Sequence, residues 1–456
     1  MKKLTAILTL TLATSAFAQS TDANATRLID YILANSQGFE TLSYLTDNIG
    51  PRLSGSKGAA LAVQYTEKRF RDWGIDVRRE AVMVPHWVRG EERGRLVSHN
   101  DQRMVLTALG GSVATPAAGL TAEVIEVTSF DQLAELGSEK IKGTIVLYYG
   151  VMDLALVESG RAFEAYSKAV GFRGTGASRA AEFGAVAAVI RSVASASLRT
   201  PHTGALRYDE KQPRIPAAAL ATEDADLVHR LLAKGERVRM HLVLTPRTLP
   251  DVASSNVIAE IRGSERPEEI VLIGGHLDSW DLATGAIDNG SGVAMVMEAM
   301  RAMKELGIQP KRTIRCVLFM NEENGLRGGR KYFETVARRA ELQKHVAAIE
   351  SDAGVATPIG FTTTLEGKNL ERVHARMKLL DRIVPMKFQS SKHTGADTSP
   401  LIGAGVPGFG FLPDPRYYFD FHHTPADTLD KVDPKALAQD TAAIAALAYV
   451  IAEEGL

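Results

Sequence analysis

A single cysteine, Cys316, stands in 456 residues, so no disulfide can form within the chain and stability must come from packing or bound metal. Cys316 lies in the apolar run 314–320, where a buried structural thiol is expected rather than a nucleophile. Charge of one sign is missing too. With 53 Lys and Arg against 54 Asp and Glu the net charge is −1, which gives no support for a nucleic-acid partner or a polybasic membrane contact. Past the N-terminus no stretch reads as long and apolar enough to span a membrane. Internal repeats and low-complexity tracts are also absent, and the 45% hydrophobic content excludes global disorder.

What is there begins with an export signal. Lys2 and Lys3 give a basic start, residues 4–16 are apolar with interspersed Thr, and Ala16-Phe17-Ala18 is a small-x-small cleavage site. The expectation is a signal over 1–18, a mature chain from Gln19, and a periplasmic or secreted protein. The remaining length suits two domains. Helices are expected over 25–33 and 59–73, with the turn-rich loop 48–56 between them. Strand-like alternation follows from 76 to about 109.

The texture changes over 110–250. Short strand candidates at 122–127, 144–149, 185–190 and 238–244 surround one helix start at 177–183. Metal-type residues do not cluster here: His202, His229 and His241 have no partners at ligand spacing and read as surface or satisfied-core residues. The block reads as a small β-rich inserted domain between a first segment, 19–109, and a main segment, 251–456. From 256 onward strands at 269–273, 313–320, 346–349 and 406–412 alternate with helices. That order predicts an α/β fold with a mixed, mostly parallel sheet covered by helices on both faces. The helix over 290–306 places Val293, Val296, Met297, Met300 and Met303 on one apolar face, and Asp433-Pro434 opens a closing helix.

The polar residues of this main segment carry the chemistry. His276, Asp288, Glu322, Glu323, Asp352 and His423 each fall at or just beyond an expected strand end. Sites in open α/β sheets form beyond the carboxyl ends of the strands. Unpaired buried carboxylates are costly there, so several acids grouped with imidazoles suit zinc or a similar divalent cation. Gly274 and Gly275 permit close backbone approach before His276, and Asp278 can reach back to fix the imidazole. Asp288 alone could be a helix N-cap; beside the other donors it reads as a bridging carboxylate. Of the adjacent pair Glu322-Glu323, one can ligate while the other holds a water. Spacing leaves His422 and His423 equivalent.

The runs GGHLDSWD at 274–281, AIDNGSG at 286–292, NEENG at 321–325, ESDAG at 350–354 and HHTPADT at 422–428, with IGPRLSGS at 49–56, resemble the co-catalytic zinc peptidase family of secreted aminopeptidases and carboxypeptidase Q. The resemblance implies two Zn2+ ions bridged by Asp288, with His276 and Asp352 on one, Glu323 and His423 on the other. It also implies Glu322 as general base, Asp278 as the orienting group, and a protease-associated-like character for the 110–250 insert. The substrates implied are dipeptides or short peptides with a free amino terminus. Arg327, Lys392, His393, Tyr417 and Tyr418 are candidates to meet the substrate carboxylate, and the loop Thr394-Gly395-Ala396-Asp397 aligns loosely with a loop near the substrate. Relatives often carry Asp where this chain has Asn289, a departure that touches substrate preference rather than metal binding. A broader aminopeptidase on longer peptides is the alternative within enzymes. A non-catalytic receptor-like homologue would need missing ligands, and none is missing. The sequence leaves a homodimer open.

Overall fold

The computed structural model describes residues 21–456, so the signal expected over 1–18 lies outside the described residues. The described chain builds two eight-stranded sheets. In the first, the spatial order is Asp76–Val88, Arg247–Ile261, Arg312–Phe319, Arg266–His276, His345–Glu350, Gly408–Pro413, Pro358–Thr363 and Lys387–Ser390. The four middle strands from Arg312–Phe319 to Gly408–Pro413 run parallel to one another. Their carboxyl ends therefore open on one edge. Antiparallel strands flank them on both sides, so the sheet is mixed with a parallel centre, as the sequence implied.

The parallel strands are apolar along most of their length because both faces are covered. Val271, Ile273, Ile314, Cys316 and Leu318 face a core shared with the helices Ser291–Glu305 and Pro434–Glu454. Leu272 and Val317 face the opposite core, with Tyr332 and Val336 of the helix Arg327–Arg338. Cys316 is fully buried, in keeping with a structural thiol.

Two sequence expectations about helices need correction. Ser291–Glu305 is buried on every side as far as Met303, not on one face, because it is sandwiched between the sheet and the closing helix. Pro434–Glu454 does have the length and apolarity of a membrane span, contrary to the expectation that no such stretch follows the N-terminus. Within the fold 89% of its most apolar window is buried, so the same composition serves as a core helix.

The second sheet spans 92–244, in the order Gln102–Met104, Glu92–Leu96, Arg239–Leu244, Leu120–Val127, Ile145–Tyr148, Ala187–Arg191, Ala217–Leu220 and Leu106–Ala108. The boundary expected at 110 therefore moves to about 89–92. Alternation marks these residues as strands but carries no information on which sheet they join, since pairing is non-local. Helices Phe130–Ile141, Gly171–Glu182 and Thr222–Ala233 cover this sheet, so the unit is α/β rather than β-rich. Its strands Leu120–Val127 through Ala217–Leu220 pair in parallel, which requires such crossovers. Asp76–Val88 and Arg247–Ile261 form the antiparallel ribbon that carries the chain out to this unit and back.

Candidate metal centre

His276 is the last residue of the strand Arg266–His276. Glu322 and Glu323 lie in the turn after Arg312–Phe319, and Asp352 follows His345–Glu350. These three positions stand side by side because the strands that deliver them are parallel neighbours. His423 differs from expectation: it lies ten residues past the strand Gly408–Pro413, after the short helix Tyr418–Phe421, with a positive φ of 62°. Asp288 sits in the turn entering Ser291–Glu305.

The donors converge. Asp288 Oδ1 is 3.0 Å from His276 Nε2, which is 3.2 Å from Asp352 Oδ1. The other oxygen, Asp288 Oδ2, is 3.2 Å from His423 Nε2, which is 3.1 Å from Glu323 Oε2. One carboxylate thus faces two separate donor groups, each with one imidazole and one further acid. Tetrahedral zinc at ~2.0–2.2 Å from its ligands spaces them roughly 3.4 Å apart, close to these separations. His276, Asp288 and Glu323 also offer donor atoms within 4.8 Å of one another. The residues present therefore fit a divalent metal pair.

The electrostatics favour cations. Burial would hold the His276 imidazolium down, yet Asp352, Asp288 and Glu322 raise it well above its usual range. His423 is raised to about 9 by Glu323 and Asp288 against the same burial. Burial and then Asp288 push the Glu323 carboxyl up to about 7, against the pull of His423. For Glu322 burial is again the leading cause, with Asp352, Glu323 and Asp397 adding to it, and the carboxyl rises well above the ordinary range. Acids outnumber imidazoles, and buried charge of one sign is stable only when paired or bound to metal.

Supporting contacts fix each donor. The Asp278 carbonyl meets His276 Nδ1 at 3.0 Å, while its carboxylate stands 3.8 Å from that nitrogen. The carboxylate instead accepts from the amides of Asn321 (2.8 Å) and Glu322 (3.1 Å). Asp278 thus orients the ring through its backbone and the Glu322 turn through its side chain. Asn289, not Asp288, caps the helix: its Oδ1 accepts from Gly292 N at 3.0 Å and its Nδ2 donates to Ser351 O at 2.7 Å. Both ends of Asn289 are engaged and the residue is fully buried, so its side chain faces the fold and not the substrate.

Two contributors went unread in the sequence. Asp427 accepts from Ile287 N (2.6 Å) and Asp288 N (3.1 Å), holding the bridging residue from behind. Arg52, fully buried, donates to the carbonyls of Leu277, Thr284 and Gly285 and ties the loops together. Both stood inside the runs HHTPADT and IGPRLSGS without a role. His202, expected at the surface or in a satisfied core, is 3% exposed beside the His422-His423 loop, where burial pushes its imidazole down to about 3 against the pull of the His422 backbone. His422 stacks on His423 at 3.6 Å, its Nε2 3.5 Å from Asp288 Oδ2.

The carboxylate-binding candidates separate. Arg327 is engaged with Asp251 and the Met83 carbonyl, and Tyr417 is 66% exposed. His393, Thr394, Gly395 and Ala396 line a cavity of about 900 Å3 that reaches Asp352 and is walled opposite by Phe163 and Tyr166 of the helix Ala162–Ala169. The amides of Ala396, Asp397 and Thr398 donate to Glu350, which shapes that loop.

Residues 256–448 match the model of peptidase family M28. Over 419 residues, 92% of this chain and 86% of the relative, the sequence is 39% identical to carboxypeptidase Q of Mus musculus. The fold resembles that of the peptidase M28 precursor from Shewanella amazonensis with a TM-score of 0.91 and 38% identity, covering 96% of this chain and 98% of that one. BSAP, a zinc aminopeptidase from Bacillus subtilis, shares the fold at a TM-score of 0.65 and 21% identity, over 91% and 94% of the two chains.

Proposed function

This chain belongs to peptidase family M28 and is a metallo-exopeptidase, and we propose that it is an exported dinuclear-zinc enzyme that hydrolyses dipeptides or short peptides. The observation that carries the dinuclear reading is the double-facing Asp288, with Oδ1 toward His276 and Asp352 and Oδ2 toward His423 and Glu323. When bound there, a metal pair polarises the scissile carbonyl and makes water a nucleophile at neutral pH.

The chain's own residues do the rest. Glu322 is the general base: its carboxylate accepts no hydrogen bond from a described residue, and burial with Asp352, Glu323 and Asp397 nearby raises its proton affinity above that of a free carboxylate. It takes the proton of the attacking water and returns it to the leaving amine. Asp278, by holding the Glu322 amide, fixes where that carboxylate can reach. The cavity beside Asp352 receives the substrate, and its loop 393–396 is placed to meet peptide groups. The basic, apolar and small-x-small order of residues 2–18 supports export.

A cavity of about 900 Å3 lies near the top of the ~300–1,000 Å3 range of small-ligand sites and has room for more than two residues. That supports a second reading, an aminopeptidase on longer peptides. Metal analysis with a peptide panel tests both. A free dipeptide, its N-acetylated form and a tetrapeptide with the same first residue are compared before and after chelation. The proposal expects two zinc equivalents, loss of activity with chelator and a strong preference for the free dipeptide. Equal turnover of the tetrapeptide favours the second reading, and activity that survives complete metal removal sinks both.

A further inference from the structure

The two halves of the centre are held by different parts of the molecule. His276 and Asp352 are delivered by the first sheet, and among the described residues His276 Nδ1 meets Asp278 alone, its carbonyl at 3.0 Å and its carboxylate at 3.8 Å. Neither side chain bonds to any residue of 92–244.

Glu323 and His423 depend on the second sheet. Glu323 Oε1 accepts from Trp280 N at 3.1 Å. The Trp280 indole is 4% exposed and belongs to the core of the second unit, with Trp87, Ala108, Leu147 and Leu220. It lies so close to Gly110 that a Cβ there would meet Trp280 Cη2 at 1.9 Å. His423 Nδ1 faces the Thr203 carbonyl at 3.2 Å, and Thr203 N donates back to the His423 carbonyl at 2.9 Å. A metal on Nε2 requires the proton on Nδ1, where it donates to that carbonyl. Arg89, at the end of the outgoing ribbon, joins the two arms. It pairs with Asp281 through Nη2 (2.5 Å) and Nε (2.9 Å), donates to Thr203 Oγ1 at 3.4 Å, and reaches the Ala108 carbonyl at 2.7 Å. Asp281 adjoins Trp280.

We propose that the second unit acts as a positioning element for one metal only, the one drawn by Glu323 and His423, with Arg89 tying its two arms. The other position is set by the first sheet alone. This rests on the dinuclear reading above. Its consequence is that the two metals respond unequally to changes at the junction of the two sheets.

The test is titration of Zn2+ into metal-free protein against a competing chelator. The wild type takes two equivalents. In Arg89→Gln one equivalent weakens by about 10–100-fold, the cost of disturbing the partners behind a ligand, while the other keeps its affinity. Adding His276→Ala then abolishes the equivalent that kept its affinity, whereas adding His423→Ala removes only the weakened one and leaves the other intact. Leu242→Ala, a cavity in the same second core, leaves both equivalents intact and separates positioning from general loosening. Thr203→Val, which removes the hydroxyl that Arg89 meets at 3.4 Å and that donates to the Ala108 carbonyl at 2.9 Å, gives a loss on the same side and serves if Arg89→Gln does not fold. Equal weakening of both equivalents, no weakening of either, or a surviving equivalent that depends on His423 overturns the inference. Fewer than two equivalents in the wild type instead overturns the dinuclear reading.

Discussion

Replacing Glu322 by glutamine exchanges one carboxylate oxygen for an amide nitrogen and leaves the volume unchanged. In the structure that carboxylate accepts no hydrogen bond from a described residue and makes no ion pair, so the fold loses no contact with it. Burial, Asp352, Glu323 and Asp397 push the carboxyl well up. The folded chain therefore holds that proton more tightly than the unfolded chain. Without metal, stability from this position is present at acid pH and is lost as pH rises from the ordinary carboxylate range through the raised value. Glutamine removes that loss, so metal-free Glu322→Gln should be at least as stable as wild type at neutral pH. Turnover should behave in the opposite way. A positioned general base contributes about 10²–10⁴-fold, equivalent to about 2.7–5.4 kcal/mol of activation free energy. Steady-state hydrolysis of a free dipeptide, read beside zinc content and thermal unfolding, checks all three. Retained turnover at normal zinc content refutes the role of Glu322. Loss of zinc along with turnover would mean that Glu322 holds metal.

Asn289→Asp sets an oxygen against the Ser351 carbonyl now met by Nδ2, an unsatisfied arrangement costing about 1–3 kcal/mol; a lower melting temperature with zinc stoichiometry unchanged is expected, and altered substrate preference without a stability change would contradict it. Asp440, fully buried in the closing helix, has its carboxyl pushed well up by burial. By the same sign its contribution is lost with rising pH, so Asp440→Asn should melt higher than wild type at alkaline pH, with the gap closing toward acid pH. Chelation should lower the melting temperature of the wild type, since a metal at a thousand-fold excess over its Kd stabilises the folded state by about 4 kcal/mol; a melting temperature indifferent to chelator would show that the folded chain does not need the ions.

Much of the candidate centre was legible in the chain because its residues are local punctuation. Gly274-Gly275-His276 ends a strand, Asp288 precedes a helix, and Glu322-Glu323 fills a turn, each readable within a few neighbours. The apolar runs at 313–320 and 346–349 likewise announced buried parallel strands. The short strands Pro358–Thr363 and Lys387–Ser390 went unread, since their pattern is short and broken by Gly and polar residues. Of the helices over 130–233, Gly171–Glu182 is Ala- and Gly-rich and gives little contrast between faces, while Phe130–Ile141 and Ala162–Ala169 went unread because they span only 12 and 8 residues, too few turns for the 3.6-residue period to stand out.

The order of donors along the chain, and hence the ability to hold divalent metal, was written in the sequence alone, because ligand chemistry belongs to residue types and strand ends are local. Which histidine of the pair 422–423 turns its Nε2 to both Asp288 and Glu323 was a tertiary decision, in which the Thr203 carbonyl at 3.2 Å and Arg173 Nη1 at 3.4 Å, both distant in the chain, meet the other ring nitrogen of His423. So was the joining of strands 92–108 to the second sheet, and the burial of Trp280 in that sheet's core. Hydrogen-bond pairing and side-chain packing between distant segments leave no periodic trace in either partner, so only the folded chain reveals them.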